Sequence, residues 1–474
     1  MNIFHCSAEF YPYIKMGGLS DMLSSLAKEQ SKKHKVSVAI PLIKGVKIKP
    51  KFTGKKFPCI HPTAILGSES SMILKDSTFL EAMDGDVQLY FFDSPVFQSL
   101  DRIYENSDEH YRFALFSYAC FYLSLELKSD LIHSHDWHTA LTSYLHSSSI
   151  DGIPTVFTIH NLAYQGDHPE WLCGFLKGEP FYLNLDYLKH SGKINYMKGA
   201  IGSSSKVTTV SPGYRDEVLS EPNGCGLSYN LRQRGDDFIG ILNGIDSEEW
   251  NPVNDTKIAK NYSIQNYKSG KLANKKSIYK KINRNIDVNR PLVGLIGRLT
   301  WQKGYSTFLA SFRNKWYLPF FYIMLGSGDE EMEGDLFHFS HTEQERIFFL
   351  KGYDEDFARL IEAASDFFIM PSLFEPCGLN QMYSQAYGTI PIVSRVGGLK
   401  NTVIEDPFFE SKTTGIVFEP GESHSLDFAL DRANTLYDKK EEFTRMQKRV
   451  MGLDWSWTKR VEEFYSLYKE IVAK

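Results

Sequence analysis

Short apolar runs alternate with helix-period stretches along almost the whole chain. Ile3–Cys6, Val36–Ile40, Val87–Phe92, Leu131–Ser134, Thr155–Ile159, Val207–Val210 and Phe238–Leu242 read as strands, being short and rich in β-branched or aromatic residues. Between them, Leu19–Lys32, Asp108–Leu127 and His138–Ser147 read as helices. Strands alternating with helices predict β-α-β units and a parallel sheet. The pattern restarts after a lysine-rich helical segment. Leu292–Ile296, Phe320–Leu325, Ile347–Leu350, Phe367–Met370 and Ile390–Ser394 are each followed by a helix pattern. In Glu355–Ser365 the apolar residues Phe357, Leu360, Ile361 and Ala364 share one helical face.

Two such runs predict an α/β protein of two Rossmann-like domains, 1–242 and 243–454, with a hinge at Asn243-Gly244-Ile245-Asp246. The terminal segment 455–474, helical over Trp455–Val472, is expected to pack back on the first domain. The length of 474 residues agrees with two cores rather than one. Ligands of open α/β sheets collect at the carboxyl ends of strands, so a site is expected there, in a cleft between facing domains.

Composition narrows the function. A charged fraction of 23% and an apolar fraction of 42% describe a globular chain, and a net charge of −5 gives nucleic acid no purchase. The lysine clusters Lys44 to Lys56 and Lys257 to Lys281 read as solvated faces. Six scattered cysteines contain no C-x-x-C pair, which argues against a zinc site or a dense disulfide framework. The chain enters directly into Asn2-Ile-Phe-His-Cys without a signal-like segment. No stretch approaches the ~20 apolar residues of a membrane span. A cytoplasmic protein without a membrane partner is the expectation.

The candidate chemistry follows the predicted strands. Arg298-Leu-Thr-Trp-Gln-Lys303-Gly304 places a guanidinium and an ammonium just past a strand end, a pair suited to a diphosphate. Lys15-Met-Gly17-Gly18-Leu-Ser-Asp21 offers a cation, two glycines and a helix N-terminus to an anion. It is neither a G-x-G-x-x-G fingerprint nor a Walker loop, which weakens nicotinamide and ATP readings. His133-Ser-His135-Asp136-Trp-His138 invites a metal, but strand alternation is expected to keep its histidines from one centre. Asp136 there, and the polar run His160-Asn161 to Gln165, are candidate sugar contacts. Glu375-Pro-Cys-Gly378-Leu379-Asn380 supplies a carboxylate and a second helix start for phosphate. Tyr353 could stack on a base. Asp84-Gly85-Asp86 matches a metal-binding D-x-D pattern but reads as a plain turn before a strand.

Taken in order, these motifs resemble those of the bacterial glycogen synthase and plant starch synthase family. The match also takes in Asn243-Gly-Ile-Asp246, Gly326-Ser-Gly-Asp329 and Gly397-Gly398-Leu399. The resemblance implies a GT-B fold and retaining transfer of glucose from ADP-glucose to the non-reducing end of an α-1,4-glucan. It implies that Lys15, Gly18, Arg298, Lys303 and the Gly378-Leu379 backbone hold the diphosphate. Tyr353 would stack on adenine and Asp21 would touch the nucleoside. Asp136, His160, Asn243 and Glu375 would surround the transferred glucose. Met16, Leu373, Asn380 and Asn401 depart from the family's usual threonine, arginine, threonine and aspartate.

No metal or cofactor is implied, since protein cations take the electrostatic role. The position eight beyond Glu375 is Tyr383, not a second carboxylate, so front-face attack without a covalent glucosyl-enzyme is expected. A UDP-glucose transferase, an inactive glucan-binding protein and a dehydrogenase remain the rival readings. Oligomeric state is not legible.

Overall fold

The computed structural model describes the chain except for residues 47, 60–67, 105–106, 407, 409 and 474. The chain divides into two compact units, Met1–Gly244 with Trp457–Lys474, and Ile245–Ser456.

In the first unit β1 (Asn2–Cys6), β2 (Lys35–Pro41), β3 (Phe52–Pro58), β4 (Thr78–Asp84), β5 (Val87–Asp93), β6 (Leu131–His135) and β7 (Thr155–Ile159) come first. A small three-stranded sheet of β8 (Asp167–Pro169), β9 (Lys189–His190) and β10 (Lys193–Asn195) follows, and β11 (Lys206–Thr209) and β12 (Phe238–Gly240) complete the main sheet. Its order is β12-β11-β7-β6-β1-β2-β5-β4-β3. The expectation of a wholly parallel sheet fails at one edge. There β4 runs antiparallel to β5 and to β3. The cause is the Asp84-Gly85-Asp86 segment: Asp84 pairs with Val87, and so short a turn can join only antiparallel neighbours. The D-x-D pattern is thus the tip of a hairpin. β3 escaped notice because its lysines break the apolar run, and its residues are mostly exposed.

β1 is central, and alternation sends Ile3 and His5 to one face and Phe4 and Cys6 to the other. Ile3 packs with Met22 and Leu26 of the helix Gly18–Ser31 and with Trp457, Val461, Phe464 and Tyr468 of the helix Trp457–Val472. Each large apolar side chain buried there contributes roughly 1.5–3 kcal/mol, which fixes the terminal helix on the first unit.

The second unit carries β13 (Leu292–Ile296), β14 (Phe321–Gly326), β15 (Ile347–Lys351), β16 (Phe367–Met370), β17 (Ile390–Ser394) and β18 (Ile416–Phe418). They form one parallel sheet in the order β15-β14-β13-β16-β17-β18, with apolar clusters on both faces. The strand order reverses between β13 and β16, as it does between β1 and β6 in the first unit. Loops after strands that flank such a reversal splay apart and leave a crevice. All four of these loops carry predicted site residues.

The lysine cluster before β13 is not wholly a solvated face. In the helix Tyr267–Lys281, Lys271 is buried and its Nζ donates to Ala363 O, Tyr387 O and Thr389 Oγ1 at 3.2, 3.1 and 2.7 Å. Burial pulls its pKa down to about 7. Lys275, also buried, bonds the Asp366 carboxylate at 2.5 Å. Both lysines tie their helix to the sheet, because a buried ammonium must find acceptors.

Candidate active site

In the first unit the loop after β1 is organised by Glu9, a residue with no motif around it. Its Oε2 accepts from the Met16 and Gly17 amides at 2.7 and 2.9 Å, and its Oε1 accepts from Tyr104 Oη at 2.7 Å. Burial raises the Glu9 pKa, and those hydrogen bonds act against the rise. Two of the loop amides expected to face an anion are therefore taken by the protein's own carboxylate. The helix that follows starts at Gly18, with no side-chain cap from Gly17. Its first amides, from Gly18 and Leu19, are what the loop can offer an anion. Lys15 Nζ pairs with Asp21 at 2.8 Å and lies 4.8 Å from the Tyr11 ring centre. Lys15 and Asp21 thus form an ion pair beside the helix start.

After β6, Asp136 adopts φ 56° and turns its carboxylate under the loop after β7. Its Oδ1 accepts from the His160 and Asn161 amides at 2.8 and 3.4 Å. Burial pushes its pKa up to about 7, against the pull of those two amides. Near neutral pH this carboxyl can both accept and donate. Gln165, by contrast, is spent on structure: its Nε2 donates to Cys225 O and its Oε1 accepts from Asn195 Nδ2. Asn243 is buried at the end of the unit, its amide reaching Val210 O at 3.4 Å.

The histidines converge, contrary to expectation. His133 and His135 lie two residues apart on β6, so alternation sends both to one face, where their ring centres sit 4.3 Å apart. His5 from the neighbouring β1 joins them, and His160 lies next to His135. Ring nitrogens of His5, His133 and His135 all lie within 4.8 Å of one another. Every one of those six nitrogens already meets a protein partner: His5 meets His135 and Gln30, His133 meets Tyr468 and Thr158, and His135 meets His160 and His5. No carboxylate stands in the group to offset a dication. The donor set fits a hydrogen-bonded chain better than a coordination shell. Burial keeps these imidazoles neutral, lowering His5 to about 4 and His160 to about 3.

In the second unit the loops after β13 and β16 are stitched together. Leu373 N donates to Gln302 O at 2.8 Å, and Gln302 Nε2 donates to Phe374 O at 3.2 Å. The result is an ion pair: Lys303 Nζ lies 2.6 Å from Glu375 Oε2, which also accepts from Ser372 Oγ at 3.0 Å. Two glycines make the approach possible. Gly304 has φ 65°, and a Cβ there would sit 1.8 Å from Pro371 O. Gly397 has φ 42°, and a Cβ would sit 1.9 Å from Glu375 O. Glu375 is buried, with 6% of its surface exposed. Arg298 on the same loop is exposed, and its guanidinium makes no hydrogen bond or ion pair among the described residues.

Gly378 has φ 74° and precedes Leu379, the uncapped start of the helix Asn380–Ala386. Asn380 faces inward, its Nδ2 on Ile296 O at 2.9 Å. Tyr353, on the loop after β15, is 66% exposed. Tyr383 is stacked on Trp250 at 3.6 Å between ring centres. The structure thus brings Lys15 to Asp21, Asp136 to His160, and Lys303 to Glu375, and leaves Arg298 uncommitted.

Residues 2–233 match the family described as the starch synthase catalytic domain, and residues 278–450 match glycosyl transferases group 1. A glycogen synthase of Leptospira biflexa is 54% identical over 471 residues, covering 99% of this chain and 98% of that one. One from Opitutus terrae is 33% identical over 493 residues, covering 99% and 100%. Among solved structures, the catalytic domain of starch synthase IV from Arabidopsis thaliana, bound to ADP and acarbose, matches with a TM-score of 0.89. It is 29% identical and covers 100% of this chain and 99% of its own.

Proposed function

The chain belongs to the glycogen synthase and starch synthase family of GT-B glycosyltransferases, and we propose that it moves glucose from ADP-glucose to the non-reducing end of an α-1,4-glucan with retention. The observation that carries this reading is the Lys303–Glu375 ion pair with Arg298 open beside it on the same loop. A cation already balanced by a carboxylate adds little net charge, so an exposed guanidinium is needed to draw a dianionic leaving group. On this reading Arg298 and Lys303 take the diphosphate, and the Gly378 and Leu379 amides take its distal oxygens. Lys15 and Gly18 add the first unit's share, and Asp21 touches the nucleoside. Tyr353 stacks on adenine. The relative from Arabidopsis, held with ADP and acarbose, supports both a nucleoside diphosphate and a glucan-like ligand.

Catalysis then rests on charge. As the glycosidic bond to the diphosphate breaks, negative charge builds on the leaving oxygen and positive charge on the anomeric carbon. Preorganised cations stabilise the first, and the Glu375 carboxylate, freed as Lys303 turns to phosphate, stabilises the second. Asp136, His160 and Asn243 orient the sugar. With Tyr383, not a second carboxylate, eight residues beyond Glu375, the acceptor hydroxyl attacks from the face the diphosphate leaves and passes its proton to the departing phosphate oxygen. No covalent glucosyl-enzyme forms. We place the protein in the cytoplasm, a setting that suits an exposed, unpaired Cys225. Among the described residues no helix is long and apolar enough to cross a membrane.

The test is transfer of labelled glucose to a maltooligosaccharide from ADP-glucose and UDP-glucose offered together. Preference for ADP-glucose by tenfold or more is the expected result. Equal use, preference for UDP-glucose, or no transfer would refute the proposal, as would a trapped glucosyl adduct on Glu375 or Asp136.

A further inference from the structure

The buried histidines form a directed line that ends at His160. Gln30 Oε1 lies 2.7 Å from His5 Nε2, His5 Nδ1 lies 3.1 Å from His135 Nε2, and His135 Nδ1 lies 3.1 Å from His160 Nε2. His160 Nδ1 has no partner among the described residues, and the residue is partly exposed. At the far end Gln30 Nε2 lies 3.1 Å from Tyr468 Oη, on the terminal helix, and that hydroxyl lies 2.7 Å from His133 Nδ1.

A neutral imidazole has one N–H and one lone pair, so rings joined nitrogen to nitrogen must all point the same way. The direction is set where a partner can only accept or only donate. The Gln30 amide oxygen only accepts, so His5 carries its proton on Nε2 and offers a lone pair at Nδ1. That lone pair demands a proton on Nε2 of His135, and the same logic puts the proton of His160 on Nε2. Turning the Gln30 amide over would reverse every link. Burial keeps the rings neutral, with His135 held well below the ordinary histidine range and His5 and His160 at about 4 and 3, so no charged ring interrupts the line.

We propose that Gln30, His5 and His135 are positioning residues that fix the proton of His160 on Nε2. The open Nδ1 is thereby an acceptor for a hydroxyl of the transferred sugar. The sugar contact rests on the functional reading above; the proton assignment does not. Gln30 lies on the opposite end of the helix that begins at Gly18. The terminal helix enters through Tyr468, whose hydroxyl accepts from Gln30 Nε2.

The experiment is two-bond 1H–15N correlation on protein labelled at histidine, with each ring assigned by substitution. In the unsubstituted protein His5, His135 and His160 should all show the Nε2–H pattern. Gln30→Met removes the accepting oxygen, and His160 should then shift to a mixture of tautomers. Gln30→Glu, which keeps an acceptor facing His5, should restore the single Nε2–H pattern. The kcat/KM for glucosyl transfer should fall in Gln30→Met by the factor by which the Nε2–H population of His160 falls, about twofold for an even mixture, and recover in part in Gln30→Glu. An Nδ1–H pattern at His160 in the unsubstituted protein would overturn the proposal without any variant having to fold. So would a His160 pattern, or a kcat/KM, unchanged by Gln30→Met. A missing glucosyl transfer in the unsubstituted protein would instead count against the functional reading, with the nitrogen assignments judged on their own signals.

Discussion

Arg298 and Lys303 carry the same charge into different surroundings. Lys303 is paired with Glu375, whereas Arg298 meets no carboxylate among the described residues. Removing each should therefore do different things. Lys303→Met leaves the Glu375 carboxylate buried with only Ser372 Oγ beside it, which should cost about 1–3 kcal/mol of stability. Arg298→Ala touches no such partner and should change stability by less than about 0.5 kcal/mol. It should still lower kcat/KM for the sugar nucleotide by the roughly 1.5–3 kcal/mol of a charge-assisted hydrogen bond. Urea midpoints and donor kinetics for the two variants check this. Equal stability losses, or an Arg298→Ala enzyme with normal donor kinetics, would show that the division of labour is wrong. Both cations were legible in the sequence, since each follows an apolar strand. Their inequality was not, because it depends on where Glu375 folds.

At the scale of elements, β1, β6 and β7 deliver four imidazoles to one buried cluster, and His138 and His146 are buried close by in sequence. Their pKa values are all lowered, chiefly by burial, with His138 and His146 at about 3. A base whose folded pKa is depressed binds its proton more readily when unfolded. Its contribution to stability is present above about pH 6.5 and is lost as the pH falls toward 3 to 4. The slope is about 1.4 kcal/mol per pH unit for each ring. Glu9, Asp136 and Glu362 have raised values, at about 7 for Asp136 and 8 for Glu362, and act with the opposite sign. The six rings outweigh the three carboxyls, so the urea midpoint should drop between pH 6.5 and 4.5; a flat or rising midpoint would contradict it. The strands themselves were visible because a buried parallel strand is one unbroken apolar run. The convergence of His133 and His135 was misread, although a two-residue spacing on a strand puts both on one face. The part played by His5 was not visible, since only strand order places β1 beside β6.

Over the whole molecule, the repeated β-α-β pattern announced two α/β units, and the chain passes from one unit to the other after Gly244 and back after Ser456. The antiparallel edge was hidden by the lysines of β3. The candidate loops stood out because each follows a strand, and two pairs of them flank the points where strand order reverses. Glu9 had no such signal: a carboxylate between Ala8 and Phe10 gains meaning only when the chain folds back to offer it the Met16 and Gly17 amides. The central claim is that the loop after β13 holds the leaving diphosphate. Its most direct test is a crystal structure of the protein with ADP-glucose or ADP bound. The diphosphate should lie within hydrogen-bond reach of both the Arg298 guanidinium and the Lys303 ammonium, with Lys303 drawn off Glu375. A diphosphate seated elsewhere, with the Lys303–Glu375 pair intact, would contradict the account.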